Sequence, residues 1–190
     1  MNIFVLDNDP TIAATMMCDK HIPKMVLESA QMMAQALRRH GATDEQMPLT
    51  KSGTPYKGGH PHHPCTVWAG DSRANFYWLA DHALALCEEY TTRFGKTHAC
   101  EQPIKQMNDM SYRIRPTDGS IVVVTSGNVR VLTPFALAMP DEFKVDIVGR
   151  LWDETDAVKA YRRYYHSKTF AKWEKGTPAP TWWRGVEVTA

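Results

Sequence analysis

Apolar residues recur at helical spacing along most of the chain. Residues 21–40 carry them three and four positions apart and are followed by Gly41, a residue type that commonly ends helices. The same repeat continues over residues 66–94 for about eight turns and is followed by Gly95. Both stretches therefore predict long helices. Shorter patterns predict three further helices, over residues 10–18, 101–110 and 153–166.

Other segments interrupt this helical pattern. Residues 3–6 are consecutive apolar residues and predict a short extended segment, while the β-branched stretches 121–125 and 129–132 flank turn-forming residues and predict a β-hairpin. Residues 41–64 contain four Pro and four Gly, so we expect a long loop there rather than a linker between domains. The sequence thus predicts a mainly α fold: one compact helical domain over residues 1–190, with at most a small β-hairpin.

Composition narrows the class of protein. Hydrophobic residues make up 43% of the chain, and ten Met add apolar volume, so we expect an ordinary buried core rather than disorder. No apolar run approaches the roughly 18 residues that a membrane span requires, and no basic leader precedes Asp7, so we expect a cytoplasmic protein without a membrane partner. The four cysteines are widely spaced and are expected to be reduced thiols in that compartment.

A polar stripe runs along the first predicted long helix. His21, Lys24 and Glu28 share one helix face, which Gln31 and Gln35 continue. Spacing alone favours a solvent-exposed face. However, the opposite face is apolar, and this one combines an acid, a base and an imidazole near the helix start, where the helix dipole disfavours a charged imidazole. We therefore take Glu28, His21 and Lys24 as the candidate catalytic residues.

The long loop ends in a histidine cluster. His60, His62 and His63 stand close to Cys65, which suggests zinc, but structural zinc usually draws its ligands from two separated pairs. The intervening prolines also restrict how many of these side chains can converge. We expect contacts to phosphates or bases, and neither a metal nor a cofactor. A zinc site would need a second pair from another part of the chain, drawn from Cys18, His21, His98 and Cys100.

Cations and aromatic rings are interleaved near the end of the chain. Residues 157–190 contain seven basic and two acidic side chains, although the net charge of the whole chain is only +1. Such a segment suits a nucleic-acid backbone, where rings stack on bases, and a solvated helix face explains it about equally well. We expect these residues, with two from the second long helix, to contact DNA: Arg162, Arg163, Lys168, Lys172, Trp182, Trp183, Trp68 and Asn75.

Three short motifs resemble the phage pyrimidine-dimer DNA glycosylases of the endonuclease V type. Asp19-Lys20-His21, followed seven residues later by Glu28, resembles that family's acid-x-His motif with its catalytic carboxylate. The sequence from His63 to Thr66 leads into an aromatic-rich helix, as in the family. The third motif, Pro-Thr-Trp-Trp at residues 180–183, resembles the family's closing aromatic segment. The resemblance implies a small, single-domain, mainly helical enzyme of phage type whose partner is double-stranded DNA in the host cytoplasm.

The same resemblance implies a chemistry with one departure. The family extrudes a nucleotide from the duplex and attacks its sugar with the amine of a small N-terminal residue, forming a Schiff base. Here Asn2 is too large for efficient removal of Met1, so either Met1 supplies the amine or the chemistry has changed. The alternative is an amino acid:DNA transferase, which joins a free amino acid to an activated 5-hydroxymethyl pyrimidine with loss of pyrophosphate. A second alternative is a non-catalytic, zinc-stabilised DNA-binding module.

Overall fold

The computed structural model describes residues 1–115, 121–125, 128–144 and 154–186. This part of the chain is mainly helical, as predicted, and none of its helices is both long and apolar enough to cross a membrane. Short 3-10 turns occur in the described residues at Asp44–Gln46, Ser111–Arg113 and Asp141–Phe143. The α-helices are α1 (Pro10–Thr15), α2 (His21–Arg39), α3 (Pro64–Ala69), α4 (Arg73–Phe94), α5 (Glu101–Asp109) and α6 (Glu154–His166).

The predicted β-hairpin is also present. Strands β1 (Ile121–Thr125) and β2 (Asn128–Leu132) pair antiparallel, with Ile121 opposite Leu132. Of the turn predicted over residues 126–128, Asn128 instead begins β2, and residues 126–127 lie outside the described residues, as does the predicted first residue of the last helix, Asp153. The hairpin is small, and the helices carry the fold.

The single helix predicted over residues 66–94 is wrong, because the chain forms two helices there. Gly70 ends α3, and Ser72 begins α4 by accepting a hydrogen bond from Asn75 N–H at 3.0 Å. A serine whose oxygen takes up a free amide at a helix start stabilises that start. The apolar repeat continues across this break, so periodicity alone did not reveal it.

Two shorter predictions are also corrected. The first helix ends at Thr15 rather than at residue 18. The segment 3–6 is buried, but it is not a regular extended strand, because Phe4 has a φ angle of +39°. A positive φ is uncommon for a bulky side chain, and such positions often belong to functional sites.

Helix α4 is the centre of the core. It packs along both α1 and α2, and its buried residues lie on most of its circumference. Trp78 is fully buried, and its indole N–H donates to the Asn8 carbonyl at 2.8 Å. His82 is fully buried beside it, with ring centroids 5.1 Å apart, and burial lowers the pKa of His82 to about 3. The core therefore contains an imidazole that stays neutral.

One buried arginine joins three parts of the chain. Arg93, near the end of α4, has a side chain with no exposed surface. It forms ion pairs with Asp19 at 3.1 Å and Glu89 at 2.7 Å, and it donates to the carbonyls of Met17 and Thr15. Asp19 also accepts from the Glu174 amide at 2.6 Å and donates its own amide to the Lys172 carbonyl. Arg93 thus fixes the start of α2 and, through Asp19, the C-terminal segment.

Replacing Arg93 with Met should lower the free energy of unfolding by about 3–5 kcal/mol, because two largely buried carboxylates would lose their cation. Urea unfolding followed by circular dichroism measures the change. Arg39→Met is the matched control. Arg39 pairs with Asp71 at the surface, so its removal should cost less than about 1 kcal/mol. Equal destabilisation of the two variants would contradict this account of Arg93.

Candidate active site

The N-terminal segment folds back over α2. Asn2 is buried, and its side-chain oxygen accepts from the amides of Ile3 and Phe4 at 2.8 and 3.0 Å. Its side-chain amide donates to the Ala138 carbonyl at 2.8 Å. These three bonds hold the main chain in a tight turn, which the positive φ of Phe4 completes. The turn brings the main chain of Met1 and Asn2 against α2.

Three nitrogens surround the Glu28 carboxylate, which is 13% exposed. Its Oε2 accepts from the Asn2 amide at 2.9 Å and lies 3.9 Å from the Met1 amine. Its Oε1 lies 3.5 Å from Lys24 Nζ. Glu28 is thus held by the main chain of the N-terminal segment.

The exposed part of Met1 is its main chain. Its side chain is only 2% exposed and accepts a hydrogen bond at sulfur from the Thr66 hydroxyl at 3.4 Å, whereas the residue as a whole is half-buried. The main chain, which carries the amine, therefore faces open space while the side chain is anchored in the protein. Met1 is thus held in this site by its own side chain.

Glu28 and the Met1 amine face a cavity of about 270 Å³, the N-terminal cavity. Two ammonium side chains and one amine face a single carboxylate there, beside three aromatic rings. Such a cavity suits a flat ring attached to an anionic group. A larger cavity of about 770 Å³ lies between the long loop and α5 and shares no residue with it. The N-terminal cavity is lined by Met1, Asn2, Phe4, His21, Lys24, Glu28, Ala138, Tyr164, Lys168 and Phe170.

His21 lies at the base of this cavity and is only 2% exposed. Its Nδ1 is 2.7 Å from the Tyr165 hydroxyl, which accepts from the Cys18 amide at 2.9 Å. When this hydroxyl donates to Nδ1, the imidazole proton resides on Nε2. Burial, followed by the charges of Lys24 and other nearby lysines, lowers the pKa of His21 to about 3. His21 is thus a neutral imidazole rather than a cation.

The three histidines of the cluster differ in burial and in their neighbours. His63 begins α3 by accepting from the Cys65 amide at Nδ1, at 3.2 Å, and its pKa is lowered by burial and by the nearby Met1 ammonium group. His60 and His62 are exposed, and His62 lines a separate cavity with Gln35. The loop thus places His63 close to the Met1 amine and the other two histidines at the surface.

Trp68 and Asn75 lie in the core, which contradicts their predicted contact with DNA. Trp68 is 3% exposed and donates its indole N–H to the Thr133 carbonyl at 3.2 Å. Asn75 is fully buried and bonds both to Thr133 and to the Trp68 carbonyl. These bonds satisfy the polar atoms inside the protein, so neither side chain is available to an external partner.

The C-terminal cations differ in how far other groups of the protein engage their charge. Arg162 donates to the Leu6 carbonyl at 2.8 Å and pairs with Asp7 at 3.3 Å, so the fold uses much of its charge. Lys172 is exposed and lies 3.5 Å from Glu174. Arg163 is exposed, and Lys168 reaches the N-terminal cavity across the Tyr164 ring.

The two adjacent tryptophans are half-buried. Trp182 donates its indole N–H to the Met16 sulfur at 3.3 Å, and Trp183 stacks on His166 with ring centroids 4.9 Å apart. Both rings also contact Tyr165, the residue that bonds to His21. A role in DNA binding remains a prediction for these two rings and for the neighbouring cations.

The described residues offer no group of three or more His, Cys, Asp or Glu side chains that could hold a metal ion. In this part of the chain, therefore, the fold does not bring the histidine cluster together with the two cysteines and two histidines considered as a second pair.

Sequence reasoning missed several residues of this site. The roles of Asn2 and Phe4 depend on a turn that no periodic pattern indicates. Tyr165 is 144 positions from His21, and aromatic residues in helices are usually core residues. The sequence did contain one signal for this turn at Asn2, since an asparagine before an apolar run often forms a local turn.

Comparison with known proteins gives one family. A family model described as pyrimidine dimer DNA glycosylase matches residues 1–102, which is more than half of the chain. The matched residues include the whole polar stripe of α2, from His21 to Gln35. A search of curated proteins found no match, and a search of solved structures also found none. The C-terminal aromatic segment lies beyond the matched residues.

His21 should remain neutral, with its proton on Nε2, at pH 5, where an ordinary histidine is mostly charged. Between pH 6.5 and about 3 the unfolded chain binds a proton at this position and the folded chain does not. The free energy of unfolding should therefore fall with decreasing pH across that window, by up to about 1.4 kcal/mol per pH unit. ¹⁵N NMR of the imidazoles tests this directly. A His21 titration midpoint near 6.5 would contradict it. Tyr165→Phe removes the hydroxyl beside Nδ1, so the imidazole proton should then be found on either ring nitrogen.

Proposed function

This chain belongs to the pyrimidine dimer DNA glycosylase family, and we propose that it acts on a pyrimidine nucleotide extruded from duplex DNA into the N-terminal cavity. A family of DNA glycosylases implies a DNA-directed enzyme. The observation that supports the finer proposal is that the Met1 amine, 3.9 Å from Glu28, faces the same cavity as Lys24 and Lys168. A nucleophile, a carboxylate and phosphate-binding cations then surround one nucleotide.

The cavity residues fit the steps of glycosylase chemistry. Glu28 takes a proton from the Met1 ammonium group, and the free amine attacks C1′ of the extruded nucleotide. The bond from C1′ to the pyrimidine nitrogen breaks, and the base leaves with that electron pair and the proton that Glu28 returns. The nitrogen then gives a second proton to Glu28, and the C1′–O4′ bond opens to give a Schiff base as O4′ takes up that proton. The neutral His21 offers a hydrogen bond to the base or to the sugar oxygen.

A second candidate is supported by the Asn2 amide. The nitrogen closest to Glu28 is this peptide N–H, at 2.9 Å, and a peptide nitrogen is not a nucleophile. In an amino acid:DNA transferase the nucleophile arrives as a free amino acid. Its amine attacks the 5-methylene carbon of an activated pyrimidine, a C–N bond forms, and the C–O bond to pyrophosphate breaks. Glu28 receives the amine proton, and Lys24 and Lys168 hold the departing pyrophosphate.

Borohydride trapping separates the two reactions. The full chain is incubated with duplex DNA containing a pyrimidine dimer and is then reduced. Glycosylase chemistry predicts a covalent protein–DNA adduct that maps to Met1, with intact-protein mass confirming that Met1 is the N-terminal residue. Transferase chemistry predicts no adduct but incorporation of a labelled amino acid into DNA that carries pyrophosphorylated 5-hydroxymethyl pyrimidine. Failure of both reactions would contradict the proposed function.

Glu28→Gln should lower the rate of the chemical step by about 10²- to 10⁴-fold, because an amide cannot accept the proton. The amide oxygen still accepts from the Asn2 N–H, so the cavity and its affinity for DNA should be preserved. Single-turnover kinetics and DNA binding measure the two effects. Glu45→Gln, at an exposed carboxylate, should leave both unchanged. A Glu28→Gln enzyme with full activity would remove Glu28 from the reaction.

A further inference from the structure

The long loop between α2 and α3 is tied closely to α2. Arg38 donates to the Tyr56 carbonyl at 2.8 Å, and the Tyr56 amide donates to the Pro48 carbonyl at 3.0 Å. Gly58 has a φ of +77°, and a Cβ there would lie 2.7 Å from the Gln35 nitrogen, so only glycine fits this approach. A loop of this length is costly to order unless it is held by such contacts. It forms a fixed surface beside α2.

A cavity of about 370 Å³, the loop cavity, lies between this surface and α2. Helix α2 contributes Leu27 and Gln31, which are the residue before Glu28 and the residue one turn after it. Both cavities therefore border α2 at neighbouring positions of its sequence. Its lining residues are Leu27, Gln31, Thr50, Lys51, Tyr56, Lys57, Gly58, Ala99 and Cys100.

The lining combines apolar surface with uncompensated positive charge. Leu27 is 45% exposed, and the Tyr56 hydroxyl is engaged by the Cys100 sulfur at 3.4 Å, so its ring faces the cavity without a free polar end. Lys51 and Lys57 are exposed, and within the described residues neither forms an ion pair. The cavity lining contains no carboxylate. These features fit an anionic group joined to a flat apolar body.

We infer that the loop cavity binds the nucleotide that flanks the extruded pyrimidine, with Lys51 and Lys57 on its phosphodiester and Leu27 and Tyr56 against its sugar and base. This inference rests on the proposed function. Arg162 of the C-terminal segment is less available to a phosphate, because Asp7 and a main-chain carbonyl engage it. The lysines of the long loop thus add positive charge beside α2, and in this binding mode the DNA strand follows the exposed face of α2.

Fluorescence anisotropy with a duplex containing a pyrimidine dimer, measured over a salt series, tests this binding mode. Removing one lysine–phosphate interaction should reduce the slope of log affinity against log salt by about 0.9, so Lys51→Gln/Lys57→Gln should reduce it by about 1.8. Leu27→Ala should weaken binding without changing the slope. Lys96→Gln, which removes an exposed charge outside the cavities described, should match the parent. Unfolding midpoints check that each variant is folded.

The outcomes distinguish the two proposals. If the parent chain binds the duplex and the double variant keeps its salt slope, the inference about the loop cavity is overturned while the proposed function stands. If the parent chain shows no affinity for the duplex at low salt, the proposed function fails and the inference fails with it. An acidic protein segment as the natural occupant of the loop cavity would give the first of these results.

Discussion

The candidate site depends on the hydrogen bond from the Asn2 amide to the Glu28 carboxylate. A largely buried carboxylate is costly unless cations and donors surround it, and at Glu28 the N-terminal segment supplies both. The same hydrogen bond also fixes the position of the Met1 main chain. The Asn2 side chain fixes the same segment through three further hydrogen bonds. A small residue at position 2, as the family resemblance implies, would hold the segment differently.

More distant contacts keep this bond in place. The Tyr165 hydroxyl joins α6 to the start of α2 and lies 2.7 Å from Nδ1 of His21, whose ring stacks on Phe4 with centroids 4.5 Å apart. Arg93 fixes the same start from α4 through Asp19. The acidic residue of the family-like motif therefore has a positioning role: it joins the helix start to the C-terminal segment rather than facing the cavity. The motif thus combines a structural acid with a cavity imidazole.

Local patterns predicted the helices and the shared face of His21 and Glu28, because helical period and residue spacing are encoded within a few turns. They did not predict how that face is buried. The His21 ring contacts the Tyr165 hydroxyl, and Arg162 donates to a carbonyl near the N-terminus. Both contacts join residues more than 140 positions apart. Trp68 was assigned to DNA because aromatic residues serve both cores and nucleic-acid sites, and only its packing separates the two.

A crystal structure of the Glu28→Gln chain bound to duplex DNA that contains a pyrimidine dimer would decide whether the N-terminal cavity is the active site. We expect an extruded pyrimidine nucleotide in this cavity, with its reacting carbon within about 3.5 Å of the Met1 amine or of the residue 28 side chain, the separation expected of a group poised to react. A complex in which DNA binds elsewhere and this cavity holds no nucleotide would contradict that assignment.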